Sequence, residues 1–212
     1  YTWQDVPQSR FTTAGQTYPE PSPYDRLILD RQIRCAGDPV AIVAAEPPEA
    51  ARKALDRIKV RYQVQEPLLD FTKAKDNPIV VHPEENFRTL CDVGTDASRN
   101  LCSTEQSEVG DVEADLAASE VVLTRTYHTK ANSQSMMETF RTFCYLDEYS
   151  RLCVVSSTQV PFHVRRILSN ALEMKKADIR VIKPRIGGGF GAKQSSVSEV
   201  FPAFVTRMTG RP

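Results

Sequence analysis

Arg185–Gln194 reads Arg-Ile-Gly-Gly-Gly-Phe-Gly-Ala-Lys-Gln and holds four of the nine glycines in the 212-residue chain. Immediately before it, Asp178–Ile182 (Asp-Ile-Arg-Val-Ile) carries the β-branched alternation of a short strand. After it, Val197, Val200, Phe201, Phe204, Val205 and Met208 recur at helical spacing. A strand, a glycine loop and a helix in that order bring backbone N–H groups against an anionic ligand. Glycine permits positive φ and lets a ligand approach without meeting a Cβ, and a following helix N-terminus adds unpaired donors and a favourable dipole. Ser195 or Ser196 is placed to cap that helix. A tight turn with no ligand is the plainer alternative.

Known phosphate loops fit poorly. A Walker A loop begun at Gly187 needs glycine where Ala192 stands and a hydroxyl where Gln194 stands. Gly187-x-Gly189-x-x-Ala192 matches the dinucleotide fingerprint loosely, but that fingerprint needs a second strand with an acidic residue about twenty positions on. No such strand or acid follows before Pro212.

The rest of the chain bounds the class. With 41% hydrophobic and 25% charged residues it has the make-up of a folded globular protein of one or two domains. Lys+Arg and Asp+Glu are both 27, so nothing draws it broadly to nucleic acid or to a charged membrane surface. No apolar run approaches the length of a membrane span. Cys35, Cys91, Cys102, Cys144 and Cys153 form no C-x-x-C pair, which argues against a disulfide framework, a zinc site or an iron–sulfur site. Reduced, mostly buried thiols in a cytoplasmic protein are expected, with Cys91 and Cys102 partly exposed.

Residues 1–25 are rich in Pro, Thr, Gln and Ser. Leu27–Arg34 then reads as a strand, Gly37-Asp38 as a turn, Val40–Ala45 as a strand, Pro47–Ile58 as a helix and Lys59–Val64 as a strand. Residues 66–100 show little periodicity beyond a short strand at Ile79–Val81. Asp111–Ser119 is predicted as a helix and Glu120–Lys130 as a strand. Arg141–Asp147 and Leu152–Ser156 form a hairpin, and Pro161 opens an amphipathic helix through Val164, Ile167, Leu168, Ala171 and Leu172. The fold class is α+β.

Among the polar candidates, His82 precedes a proline in a polar stretch and reads as a surface histidine. His128 and Glu138 are conceivable as an acid/base pair, although a strand histidine and a loop carboxylate is the simpler reading. His163 reads as a solvent-facing helix residue beside Arg165 and Arg166. Gln159 differs: it follows a strand end and precedes a Pro-started helix, a loop from which a side-chain amide reaches a ligand.

Gly-Gly-Gly-Phe-Gly-x-Lys after a strand resembles the pterin-cofactor loop of the xanthine dehydrogenase and aldehyde oxidase family of molybdenum hydroxylases. Ser156–Phe162 (Ser-Ser-Thr-Gln-Val-Pro-Phe) is similar to the family's Ser-Thr-Gln segment, and Met136-Met137-Glu138-Thr139 resembles its Glu-Thr segment. Tyr1–Pro7 and Arg34–Glu46 resemble the α/β hammerhead domain that precedes the cofactor domain. The Phe11–Asp25 run is similar to molybdenum subunits of bacterial xanthine dehydrogenases.

The resemblance implies a hammerhead-like domain over residues 1–75, a connecting segment over 76–100 and the N-terminal part of a molybdopterin-binding domain over 101–212. It implies that Gln159, Gly187, Gly188, Gly189, Phe190 and Gly191 bind the molybdenum-pterin cofactor, with no side chain here coordinating the metal directly. Lys193 would fix the loop or offset negative charge. Gln194 stands where many purine-oxidising members carry a substrate-contacting glutamate; it still offers a donor and an acceptor to a purine edge. Ala192 replaces a frequent glycine.

The implied activity is hydroxylation of a purine, a related N-heterocycle or an aldehyde, with electrons leaving through FeS and FAD subunits or domains. The family's general-base glutamate lies far beyond the loop. The 212 residues are therefore expected to be a catalytically inactive piece of a longer subunit. Two other readings stay open: a dinucleotide-binding oxidoreductase using Gly187–Ala192, and a non-catalytic α+β interaction module.

Overall fold

The computed structural model describes residues 1–13 and 17–212. Its regular elements among those residues are helices α1 (Pro48–Leu55), α2 (Val112–Ala118), α3 (Pro161–Ala171) and α4 (Val200–Thr209), with strands β1 (Thr142–Leu146), β2 (Leu152–Ser156) and β3 (Ile179–Ile182). The turn between β1 and β2 is set by Asp147. Its carboxylate accepts from the N–H groups of Tyr149 (3.0 Å) and Arg151 (2.9 Å) and from Arg151 Nε (2.8 Å), while Ser150 takes φ 59°. That Asx turn reverses the chain and places Cys144 opposite Val154 in an antiparallel pair.

β2 leads into α3, whose first turn accepts Pro161 because the missing N–H is unpaired there anyway. α3 carries the chain back so that β3 pairs parallel to β2, Val154 against Val181, giving the sheet order β1-β2-β3. One face of α3 (Val164, Ile167, Leu168, Ala171) is buried with Leu152, Val154 and Ile179 of the sheet and Val200, Ala203 and Phe204 of α4. Val6, Phe11, Ile28 and Leu29 from the N-terminal segment enter the same core. Each of the Val, Leu, Ile and Phe side chains among these contributes about 1.5–3 kcal/mol on burial. Glu20 adds a polar tie: its carboxylate, 1% exposed, pairs with Arg166 Nε of α3 at 3.0 Å.

The hairpin, α3, β3 and the amphipathic pattern of α4 match the sequence expectation. α2 matches too, with Asp111 capping through Ala114 N–H at 3.0 Å. Helix α1 is shorter than expected, ending at Leu55.

Other expectations are corrected. Leu27–Arg34, Val40–Ala45, Lys59–Val64, Ile79–Val81 and Glu120–Lys130 carry no strand. Alternation supplies a face, but a strand also needs a neighbour for its N–H and C=O groups. Among the described residues the backbone of Val40–Ala45 is hydrogen-bonded only to Tyr1, which exchanges two bonds with Ile42, and Val121, Leu123 and Tyr127 stand exposed. The serines do not cap α4. Its N-cap is Glu199, a buried carboxylate that accepts from Ser196 Oγ (3.0 Å), Val197 N–H (2.9 Å), Ser198 N–H (3.1 Å) and Ser156 Oγ (2.7 Å). Of the cysteines only Cys144 and Cys153 are buried. Residues 14–16 of the Phe11–Asp25 run lie outside the described residues.

Candidate functional site

The glycine loop leaves β3 at Ile182 and closes in a 3-10 turn at Ala192–Gln194, held by Ala192 N–H to Gly189 O (2.8 Å) and Gln194 N–H to Gly191 O (3.2 Å). Helix α4 starts at Val200, so its N-terminus does not follow the loop directly as the sequence reading expected. The loop's own backbone provides the donors.

Its glycines serve two different needs. Gly188 (φ 92°) and Gly191 (φ 87°) occupy the left-handed region that side chains avoid. Gly187 and Gly189 are required by space. A Cβ on Gly187 would lie 2.9 Å from Cβ of Glu138, and one on Gly189 would lie 2.4 Å from Oε1 of Gln159. Phe190 is itself left-handed at φ 47°, and its ring is 74% exposed. Among the described residues the N–H groups of Gly188, Gly189, Phe190 and Gly191 make no hydrogen bond.

Gln159 lies against this loop because β2 ends at Ser156 and α3 starts at Pro161, leaving it in the short link between them. Its N–H donates to Lys193 O (2.9 Å), and its Oε1 accepts from Lys193 N–H (3.3 Å). Its Nε2 makes no hydrogen bond among the described residues. The side-chain amide is thus oriented by main chain on its oxygen side and retains two free donors.

Lys193 is the most buried cation of the site. Its side chain is 0% exposed, and Nζ donates to Glu138 Oε2 at 2.6 Å. The same oxygen accepts the Gly187 N–H at 2.8 Å. The Lys193 ammonium, with that N–H, holds the Glu138 carboxyl below the usual carboxylate range. Glu138 pairs with Lys193 and not with the exposed His128, so the conceivable His128–Glu138 pair does not form.

The structure therefore brings Gln159, Gly187, Gly188, Gly189, Phe190 and Gly191 into one site, with Lys193 beneath it. Gln194 is half-buried, its Oε1 3.7 Å from the position of a Gly191 Cβ. The anchoring role of Glu138 was not anticipated; nothing local in sequence signals a pair separated by 55 positions. His163 is corrected: it is 2% exposed, with Nδ1 2.9 Å from Arg166 Nη2. His82 is corrected as well: its ring is 25% exposed and 3.4 Å from Glu84. Burial, then the positive charge of Arg34, pushes the His82 imidazolium below its ordinary pKa. No helix among the described residues is long and apolar enough to cross a membrane.

The donor set suits a pterin cofactor rich in oxygen and sulfur acceptors: backbone N–H groups unpaired among the described residues, on a loop that is glycine at every position from 187 to 191 except Phe190, beside a Gln159 amide whose Nε2 makes no hydrogen bond there.

Comparison with known proteins agrees. The family model for the molybdopterin cofactor-binding domain matches residues 93–212, more than half of the chain. The model for the aldehyde oxidase and xanthine dehydrogenase a/b hammerhead domain matches residues 1–66. The chain is 35% identical over 236 residues to "Probable hypoxanthine oxidase XdhD" of Escherichia coli O157:H7, covering 100% of this chain and 24% of that protein. It is 31% identical over 218 residues to the xanthine dehydrogenase molybdenum-binding subunit of the same organism, covering 99% of this chain and 27% of that subunit. It spans about a quarter of the length of these relatives. In structure it resembles the aldehyde oxidoreductase of Desulfovibrio gigas, with TM-score 0.77 and 21% identity over 99% of this chain and 22% of that one, a likeness of fold. Both family models match, the hammerhead domain before the cofactor-binding domain along the sequence, and the chain belongs to the aldehyde oxidase and xanthine dehydrogenase family of molybdopterin cofactor-binding proteins.

Proposed function

We propose that this chain forms one wall of the cofactor pocket in the molybdenum-binding subunit of a xanthine dehydrogenase-like hydroxylase. The observation that carries the reading is the run of N–H groups from Gly188 to Gly191, unpaired among the described residues, beside a Gln159 side chain that packs so closely on Gly189 that it leaves no room for a Cβ and whose Nε2 makes no hydrogen bond among those residues. The bound group would supply the oxidising metal centre at which a carbon of the substrate is hydroxylated.

The chain's own residues bind and orient. Gly188, Gly189, Phe190 and Gly191 donate backbone hydrogen bonds to the cofactor, and Gly187 and Gly189 let the loop lie close against Glu138 and Gln159. Gln159 donates from Nε2 to the metal's surroundings while Lys193 N–H fixes its oxygen. Gln194, beside Gly191, offers an amide to the edge of a purine or another N-heterocycle. No group in this chain acts as the general base; that role falls to a carboxylate elsewhere in the whole protein. Residues 1–75 serve as the hammerhead-like unit, 76–100 as the connection and 101–212 as the first part of the cofactor-binding domain. Electrons leave through FeS and FAD partners, in the cytoplasm.

The relatives' names, hypoxanthine oxidase and xanthine dehydrogenase subunit, favour a purine substrate. The test is molybdenum and pterin analysis of the full-length protein purified with its partners, paired with xanthine and hypoxanthine turnover. Near-stoichiometric metal with purine turnover supports the reading in full. Metal without purine turnover moves the substrate to other heterocycles or aldehydes. A fully assembled preparation without molybdenum overturns it.

A further inference from the structure

A single carboxylate closes the glycine loop at both ends. Glu138 Oε2 accepts the Gly187 N–H (2.8 Å), Glu138 N–H donates to Gly187 O (3.4 Å), and the same Oε2 accepts Lys193 Nζ (2.6 Å). Gly187 opens the loop and Lys193 ends it, so the segment Gly188–Ala192 is bracketed by one side chain from a different part of the chain.

Lys193 extends the bracket to the other wall. Its N–H donates to Gln159 Oε1 (3.3 Å), and its C=O accepts from Gln159 N–H (2.9 Å) and Thr158 Oγ1 (3.4 Å). The ammonium has no exposed surface, and a buried ammonium needs a counter-charge. Glu138 is the one salt-bridge partner of Lys193 among the described residues; Glu138 is half-buried and sits at the loop's rim. Joining the ends of a loop removes open conformations before any ligand arrives, which lowers the ordering cost of binding.

We propose that Glu138 and Lys193 form an ionic latch that holds the glycine loop rigid against Gln159, and that both are positioning residues for the cofactor. The proposal rests on the cofactor reading above for its consequence, but the latch itself is a property of the protein and is measurable without cofactor.

The experiment uses the full-length protein with its partners as wild type, Lys193→Met, Glu138→Gln and the double variant. Methionine keeps the aliphatic length of the buried lysine without its charge, and glutamine keeps the shape of the carboxylate and an acceptor for Lys193 Nζ; unchanged exchange of β1–β3 and α3 verifies that each variant is folded. Hydrogen exchange of a peptide spanning residues 186–194 is followed in protein made without cofactor, and loss of molybdenum on dilution is followed in loaded protein. Either single variant is expected to speed loop exchange about tenfold. Each should speed molybdenum loss by about ten- to a hundredfold, as removal of a group that orients a cofactor contact does, and should alter the Mo(V) paramagnetic-resonance line shape. The double variant should be no worse than either single one, because the two groups act as a unit.

Unchanged loop exchange in both single variants overturns the latch. A loosened loop with unaltered molybdenum retention and line shape overturns the positioning role. If wild-type protein holds no molybdenum while both variants still loosen the loop, the latch stands and the cofactor reading alone falls.

Discussion

Alanine at position 189 puts one methyl group where the structure has no room for it. The added Cβ would lie 2.4 Å from Oε1, 2.7 Å from Cδ and 3.1 Å from Cγ of Gln159. Ordinary contact begins near 3.4 Å, so the Gln159 side chain must retreat by about 1 Å at its tip. That retreat breaks the Lys193 N–H···Oε1 bond, now 3.3 Å long, at about 0.5–1.5 kcal/mol. It also pushes χ angles off their wells at about 0.5–1.5 kcal/mol. The sum is about 1–3 kcal/mol, and at about 2–4 °C per kcal/mol for a domain of this size the unfolding midpoint drops by several degrees. On the proposed function the larger effect is expected on cofactor content, because the displaced Gln159 amide loses the main-chain bond that orients it. Gly210→Ala is the control: it adds a Cβ where nothing lies within 4 Å, its cost coming only from a side chain in the left-handed region (φ 69°). It should cost about 1–2 kcal/mol and leave molybdenum content alone. Thermal unfolding and metal analysis of both variants in the full-length protein decide the matter. A Gly189→Ala protein with unchanged midpoint and full molybdenum refutes the steric argument.

Glu199 receives four donors and no cation that the structure records, so Glu199→Ala should destabilise by about 2–4 kcal/mol by orphaning them. Glu199→Gln, whose oxygen keeps three of those bonds while its amide donates to Ser156 Oγ, should cost about 1 kcal/mol; chemical denaturation distinguishes the two. Burial, then the Glu199 charge, pushes the Cys144 thiol up to about 12. At about pH 8 it should therefore resist alkylation until the protein unfolds. Cys35 and Cys102 are exposed, but the bond from Cys35 Sγ to the Asp38 carboxylate raises the Cys35 pKa, so Cys102 should label faster in mass-spectrometric timing. Phe204→Ala removes a ring that is 2% exposed and packs edge-on against Tyr1 at 5.2 Å. It should cost about 3–5 kcal/mol in an unfolding titration.

Legibility from sequence followed the range of the forces involved. Leu152–Ser156 and Pro161–Ala171 were readable because hairpin chemistry and helical periodicity are local. The segments at Lys59–Val64 and Glu120–Lys130 have comparable alternation but no strand, because pairing depends on a neighbour that alternation does not specify. His163 misled for a related reason. Its flanking arginines suggest a wet helix face, but packing of the N-terminal segment, with Glu20 on Arg166, covers it.

The candidate site divides in the same way. The glycine run, the Ser-Thr-Gln link and the domain order were present in the residues themselves, and they were enough to place the chain in its family. Tertiary structure alone decided why each glycine is there. Gly188 and Gly191 answer to their own backbone angles, whereas Gly187 and Gly189 answer to Glu138 and Gln159, 49 and 30 positions away by residue number. It also decided that Lys193 points into the protein toward Glu138 and not out toward solvent. A buried charge is defined by what surrounds it, and those surroundings are assembled only when distant segments fold together.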